Sequence, residues 1–294
     1  MSGVQSSAAD GRPVRIPTRE KLPPLLERTP LSIVDEAITF VRLKPAMLLG
    51  IAFTVLLPLR LVAAVLPGSG LRDVRPDRIA DLLFANATSG GAVFAAFATL
   101  ILDSLAVFVV GAIYAKVMAA WFSGKGPDAT ELLVWSIKRS PFLATVWIIN
   151  HVLIFGAGIF SAGFGGVIIA ILLMVSAPLM GAEDAGIRVA LSRSMTLVSA
   201  RLFSAGGLFV LAGAGGQLMR FILRLVPTLL GINLLPIPAW IISGVFDLIA
   251  TTVVVSFTAA TAVVLYLDLR VRKEGIDLDM AMDRVFPTSW QANG

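Results

Sequence analysis

Long apolar stretches separated by short polar segments occupy most of this chain. A helix needs about 20 apolar residues to cross the hydrocarbon core of a bilayer, and six stretches approach or exceed that length. They are apolar on every side, unlike the one-sided helices of a soluble core, and they lack the period-two alternation of barrel strands. The pattern therefore predicts six transmembrane helices, over residues 46–66, 90–120, 142–160, 167–180, 203–226 and 237–267.

Three shorter segments have the periodicity of amphipathic helices, and each precedes a pair of predicted membrane helices. In segment 31–44, Ser32 and Asp35 resemble a capping box, and in segment 128–139 Asp128 is the expected N-cap. The apolar stripes are Leu31, Val34, Ile38 and Val41 in the first segment, and Ile187, Leu191, Val198 and Leu202 in the third segment, 187–202.

The first two segments also share a spacing, in which a base and then a proline follow an acid at equal offsets. These sets are Asp35, Arg42 and Pro45, and Glu131, Lys138 and Pro141. The third segment lacks the proline. We interpret the three segments as helices that lie on the inner leaflet and lead into helical hairpins. The alternative is that any inner loop of a membrane protein carries bases and some amphipathic character.

The predicted fold is therefore all-α, a polytopic membrane bundle of six transmembrane helices in three hairpins, each preceded by an amphipathic interfacial helix. The membrane domain is expected over residues 31–268. Residues 1–30 are polar and rich in proline, without the apolar core of a signal peptide. They are predicted to form a disordered cytoplasmic tail, and residues 269–294 a second cytoplasmic tail.

Composition and charge agree with this fold and orient it. The chain is 57% apolar and only 15% charged, outside the range of soluble domains. With the N-terminus inside, eighteen of the 24 lysines and arginines fall on inner segments, as the positive-inside rule requires. The sequence predicts a multi-pass protein of the cell membrane with both termini cytoplasmic. The net charge of +5 needs no nucleic-acid partner, because bases beside anionic headgroups account for it.

Three short motifs carry a resemblance to a known group. They are Arg-Thr-Pro-Leu-Ser-Ile-Val-Asp-Glu-Ala-Ile at 28–38, Ala-Leu-Ser-Arg-Ser-Met-Thr-Leu-Val at 190–198 and Tyr-Leu-Asp-Leu-Arg-Val-Arg-Lys-Glu-Gly at 266–275. The chain resembles bacterial six-helix membrane proteins, actinobacterial members above all. The group includes the membrane domain attached to some glycerophosphoryl diester phosphodiesterases. The resemblance implies a fold rather than an activity, because the phosphodiesterase barrel has no counterpart in this sequence.

The scarcity of reactive side chains argues against several enzyme classes. The chain has one histidine, His151, and no cysteine, so a catalytic triad would have to use that histidine. Histidine-rich and thiolate metal sites are excluded, and no phosphate-binding glycine loop with a terminal lysine occurs. We therefore expect no metal, no cofactor and no enzymatic activity.

Charged and polar residues inside the predicted spans are the candidates for a functional site. Asp103 and Asp247 lie too deep to reach water from a lipid-facing position, so each must face protein, pair with a base or line a wet cavity. We hypothesise that they pair with arginines of the outer half, which could otherwise extend to the interface. The candidate cluster comprises Arg60, Asp103, Asn150, His151, Arg220, Arg224 and Asp247.

A second set of candidates lies at the inner boundary, where bases could contact anionic headgroups. These are Arg42, Lys44, Lys138, Arg139, Arg193 and Arg201. Glycines form two further groups, one expected at a tight outer turn (156–166) and one expected to allow close helix contact in the fifth span (206–216).

Two functions remain open on these residues. The first is a non-enzymatic scaffold or accessory subunit of a bacterial envelope pathway, with membrane lipids and other membrane proteins as partners. The alternative is a small transporter of lipid or solute that uses the intramembrane Asp, His and Arg cluster. A membrane-embedded hydrolase or transferase is disfavoured, because no nucleophile, base and orienting group can be assembled from the spacing.

Overall fold

The computed structural model describes residues 29–65, 90–229 and 239–275, and every regular element in these ranges is a helix. Six helical stretches there are long and apolar enough to cross a membrane, which confirms the predicted all-α fold class. The helices are α1 (Pro30–Leu43), α2 (Pro45–Val65), α3 (Gly90–Phe122), α4 (Ala129–Phe160), α5 (Phe164–Leu173), α6 (Ser176–Ala182), α7 (Ile187–Ser199), α8 (Leu202–Leu229) and α9 (Ala239–Glu274).

The amphipathic segment before the second hairpin is not a separate helix, contrary to the predicted arrangement. It forms the first turns of α4, which continues through Pro141. A proline inside a helix removes one backbone hydrogen bond and bends the axis without having to end it. The hydroxyl of Thr145 donates to the carbonyl oxygen of Pro141 at 2.7 Å. Only α1 and α7 are therefore distinct helices ahead of their hairpins.

The N-terminus of α1 is set by Thr29 and not by the predicted Ser32 capping box. The backbone N–H of Ser32 donates to the Thr29 hydroxyl at 3.3 Å, and Pro30 occupies the first helical position, where its missing N–H costs nothing. The helix therefore begins inside the segment predicted to be a disordered tail, whose residues 1–28 lie outside the described ranges.

The face of α1 that packs on the bundle also differs from the predicted stripe. Ile33, Ala37 and Phe40 are buried, whereas Leu31 and Ile38 of the predicted stripe are exposed. A helix that packs on protein with one face and meets lipid with the next needs apolar residues on both. Val34 and Val41 of that stripe are partly buried against the core, so the predicted stripe lies beside the packed face and is only partly turned outward.

One end of the bundle collects most of the described bases, and we call it the basic end. The first turns of α2 and α4, the last turns of α3 and α9, and the helices α1 and α7 meet there. Phe40 of α1 packs edge-on against Tyr114 and Trp121 of α3, with ring centroids 5.7 and 5.5 Å away. At the opposite end, residues 161–163 form the tight turn between α4 and α5, as the glycine pattern predicts.

Helix α9 extends beyond the predicted boundary of the membrane domain at residue 268. It ends at Glu274, and Leu269 and Val271 are buried. The last turns of α9 thus belong to the packed bundle, although residues 269–274 were predicted to be part of the C-terminal tail. Residues 276–294 lie outside the described ranges.

The backbones of α3 and α6 approach each other closely at Gly181. A Cβ atom added to Gly181 would lie 1.8 Å from the carbonyl oxygen of Ala112, a separation that no side chain tolerates. By contrast, only two of the fifth-span glycines, Gly206 and Gly216, face a neighbour within 4 Å, whereas Gly207 and Gly213 face open space. The predicted close packing along the fifth span is thus confined to part of it.

Candidate functional site

The structure brings four of the candidate intramembrane charges together in the half of the bundle away from the basic end. Arg60 of α2 contacts the carboxylate of Asp103 at 2.8 Å and that of Asp247 at 3.2 Å. Arg220 of α8 contacts the same Oδ2 of Asp103 at 3.1 Å. Arg60 also donates to the hydroxyl of Thr251, 2.8 Å away. The hypothesised pairing of acids and arginines is therefore present, and it joins α2, α3, α8 and α9.

These side chains are withdrawn from the surface of the bundle. Arg60, Asp103 and Arg220 are 15%, 11% and 16% exposed, so the two arginines turn inward and do not extend to the interface. Together with Asp247 these residues carry two positive and two negative charges. The group is therefore neutral, as a low-dielectric environment demands. The Nε atoms of both arginines are buried without a hydrogen-bond partner among the described residues. The side chain of Arg224 lies outside the described part of the structure.

His151 of α4 is bound to a neighbouring helix and not to the carboxylates. Its Nδ1 lies 2.8 Å from the carbonyl oxygen of Trp147, and because a carbonyl only accepts, Nδ1 carries the proton. Its Nε2 lies 3.1 Å from the hydroxyl oxygen of Ser104 on α3. That hydroxyl accepts from the indole N–H of Trp147 at 3.1 Å and donates to the carbonyl oxygen of Ile101 at 2.7 Å. The interhelical hydrogen bond of His151 links α4 to the residue beside Asp103.

Asn150 of α4 lies beside a break in the fourth predicted span. That span is divided at residues 174–175 into α5 and α6, and Asn150 donates to the hydroxyl of Ser176 at 3.0 Å. Ser176 and Ser194 donate in turn to the carbonyl oxygens of Leu173 and Leu172, at 2.6 and 2.7 Å. These hydroxyls satisfy backbone groups that the break releases. The Oδ1 atom of Asn150 is buried without a partner among the described residues.

A second charge network lies at the basic end and was not predicted. Arg193 of α7 bridges Glu183 and Glu274, and Arg270 contacts the same two carboxylates at 3.4 and 2.7 Å. The hydroxyl of Tyr266 donates to Glu183 at 2.5 Å. Partial burial opposes the charge of Arg193, but the two carboxylates outweigh it and hold its pKa above the ordinary value. The network fastens α7 to α9 and to the end of α6.

The six candidate lipid contacts divide into two groups. Arg139 donates to the carbonyl oxygen of Asp184 at 2.8 Å, and Arg201 lies 3.9 Å from the buried carboxylate of Asp268, so with Arg193 they serve contacts within the protein. Arg42 and Lys138 are exposed, and Lys44 is half-buried. Burial lowers the pKa of Lys44. Direct headgroup contact therefore fits the second group best.

Sequence reasoning missed Asp184, Lys116 and Trp135, which meet beside the second network. Lys116 pairs with Asp184 at 3.1 Å and lies over the ring of Trp135, 4.6 Å from its centroid. The Trp135 N–H donates to the same carboxylate at 3.3 Å. Asp184 has a φ of 49°, a left-handed conformation that aspartate tolerates better than most residues. An acid directly after Glu183, in a segment between two helices, was too weak a signal in the sequence alone.

Among the described residues, no group of three or more histidine, cysteine, aspartate or glutamate side chains is arranged to hold a metal ion. No protein-family model, curated protein or solved structure matches this chain.

Proposed function

We propose that this chain is a non-enzymatic multi-pass membrane protein that acts as a scaffold or accessory subunit in a bacterial cell-envelope pathway. One observation carries the proposal. The deep charges are paired with one another across four helices, with two acids against two arginines. Side chains that neutralise each other in this way hold the register of a bundle, and they leave no group in a form suited to attack or transfer.

The rest of the bundle supports a static role. His151 and Asn150 each bind a serine on a neighbouring helix, which is the usual use of polar residues between membrane helices. The network of Arg193 and Arg270 ties the basic end together. A framework held at both ends suits a protein that presents surfaces to partners rather than one that cycles between conformations.

The cellular setting is part of the proposal. The six apolar helices support a multi-pass membrane protein, and the bias of bases supports a cell-membrane location with both termini in the cytoplasm. The motifs at 28–38, 190–198 and 266–275 support membership of the bacterial six-helix group. Exposed bases at the basic end, such as Arg42 and Lys138, would then face anionic headgroups and membrane-protein partners.

A deletion strain combined with partner capture tests the scaffold. Affinity capture of the full chain from native membranes should yield a stoichiometric complex, and a partner from that complex should lose abundance in the deletion strain. The lipid composition of the envelope should stay unchanged apart from effects that follow from loss of that partner. A change in one lipid or solute pool without any stable complex would contradict the scaffold.

A second candidate function is the transport of a small lipid or solute. It is favoured by the division of the fourth span at 174–175 beside the Oδ1 of Asn150, which has no hydrogen-bond partner among the described residues, because broken helices and buried polar groups form the substrate sites of many transporters. The Nε atoms of Arg60 and Arg220, which likewise have no partner in the described part of the chain, would supply donors for an anionic group.

Flux measurements in proteoliposomes separate the two functions. A transporter should show uptake that Asn150→Ala abolishes, whereas Thr145→Ala, an exposed position on the same helix, should leave the uptake intact. A scaffold should give no protein-dependent flux with either variant, while both variants remain folded and still capture the partner.

A further inference from the structure

A cavity of about 650 Å³ opens at the basic end between α3, α4 and α6. It lies within the size range of small-ligand sites. Its floor is made of small residues, with Ala119 and Ala120 on one side and Gly181 and Ala182 on the other. Small side chains on α3 and α6 leave this space open. The scaffold proposed above does not use this cavity.

Two bases and two acids line the cavity. Lys116 and Asp184 pair with each other, and Lys125 and Glu131 complete the charged lining. Asp184 is held by Lys116 and the Trp135 indole N–H, at 3.1 and 3.3 Å, so its position is set before any ligand arrives. A lining with equal numbers of both signs complements a ligand that itself carries one positive and one negative group.

The cavity continues into an apolar strip on the surface of α4. One turn beyond Glu131 on the same face lies Val134, followed by Ile137 and Ile148, and all three are exposed. Residues at these spacings share one side of a helix. A ligand with its polar head in the cavity can therefore lay a hydrocarbon chain along this strip, within the segment that is apolar enough to cross the membrane.

We propose that this cavity binds the zwitterionic headgroup of phosphatidylethanolamine. The phosphate is held by Lys116 and Lys125, and the primary ammonium donates to Asp184 and Glu131. A quaternary ammonium fits worse for two reasons. It has no N–H to donate, and the aromatic face that would attract it, Trp135, is already covered by Lys116 at 4.6 Å. The site should therefore distinguish phosphatidylethanolamine from phosphatidylcholine.

The test uses the full chain in nanodiscs that contain equal amounts of phosphatidylethanolamine, phosphatidylcholine and phosphatidylglycerol. Native mass spectrometry counts the lipids that each protein retains. The unaltered chain should retain phosphatidylethanolamine over both other lipids. In Lys125→Gln with Glu131→Gln this preference should fall about fivefold, the effect of losing contacts of exposed charged groups.

A matched control is Asp35→Asn with Arg188→Gln, which also removes one exposed acid and one exposed base, but on α1 and α7. It should keep the full preference. Equal retention of the three lipids by the unaltered chain would overturn the proposal, and so would an equal loss in both double variants. Added O-phosphoethanolamine distinguishes the source of the headgroup. Displacement of the lipid by millimolar amounts indicates that the headgroup alone suffices, and retention of the lipid indicates that the acyl chains are required.

Discussion

Asp103 is the residue on which the intramembrane network centres, because its Oδ2 atom meets both Arg60 and Arg220. Removing one partner of a buried ion pair leaves an uncompensated charge, and this costs more than the pair itself contributes. The loss of Asp103 leaves two arginines opposite the single carboxylate of Asp247. Asp103 is therefore a position at which a single change of charge should destabilise the fold.

Asp103→Asn should lower the free energy of unfolding by about 3 kcal/mol. Adding Arg220→Gln to the same chain should recover a large part of this loss, because one arginine and one carboxylate then remain. Thermal unfolding of the purified protein in detergent measures both variants. The single variant Arg220→Gln is measured in the same way. If the loss in the double variant equals the sum of the losses in the two single variants, the residues do not act as a network.

The sequence predicted which residues belong to this network but not which acid meets which arginine. Depth along a span identified Asp103 and Asp247, because a carboxylate there has no route to water. Which arginine each acid meets depends on how α2, α8 and α9 are rotated about their axes, and no local pattern fixes that rotation. The same limit applies to the pairing of His151 with Ser104.

At the scale of elements, α6 is placed by its contact with the backbone of α3. Seven residues form α6, too few to be stable alone, so tertiary packing must hold it. Gly181 is the point of closest approach. The sequence did not predict this contact, because Gly181 lies outside the two glycine groups at 156–166 and 206–216.

Gly181→Ala should destabilise the bundle by about 3 kcal/mol, at the upper end of the cost of overpacking, because backbone atoms cannot move aside as side chains do. Gly207→Ala is the matched control. It also lies in a helix, but its Cβ would face open space, so helix propensity should leave stability equal or slightly higher. Melting temperatures of the two variants in one detergent check the contrast, and equal losses would contradict it.

Helix α7 is held at the basic end by Arg193, which bridges α6 and α9 through Glu183 and Glu274. Arg193→Gln should therefore loosen α7, and amide hydrogen exchange over 187–199 should become about fivefold faster. Arg188→Gln is the control, because Arg188 is exposed on the same helix. Unchanged exchange in Arg193→Gln would show that the ion pairs of Arg193 do not hold α7 in place.

The whole molecule follows the apolar pattern of the chain closely. The predicted span 46–66 corresponds to Pro45–Val65, and 90–120 corresponds to Gly90–Phe122. Hydrophobic length decides such elements, since a helix in lipid satisfies its own backbone. The pattern was less informative at 128–160, where a proline suggested a boundary and the helix continues. It was also less informative at 174–175, where a break arises inside a stretch predicted to be one continuous span.

Helix α4 offers a direct test of the arrangement as a whole, because both of its ends are accessible and the chain has no native cysteine. Thr130 lies in its first turn at the basic end, and Ala162 lies just past its last turn. The helix is about 48 Å long at about 1.5 Å per residue. Two thiols placed at these positions must therefore emerge on opposite sides if α4 crosses the bilayer.

Single thiols introduced by Thr130→Cys and Ala162→Cys should react differently with a membrane-impermeant maleimide. In intact cells the thiol at position 162 should be labelled, whereas the thiol at position 130 should be labelled only after permeabilisation, because the positive-inside rule puts the basic end in the cytoplasm. The reverse pattern would keep the crossing and invert the orientation. Labelling of both thiols in intact cells would contradict the crossing itself, and both variants should first be shown to melt like the unaltered chain.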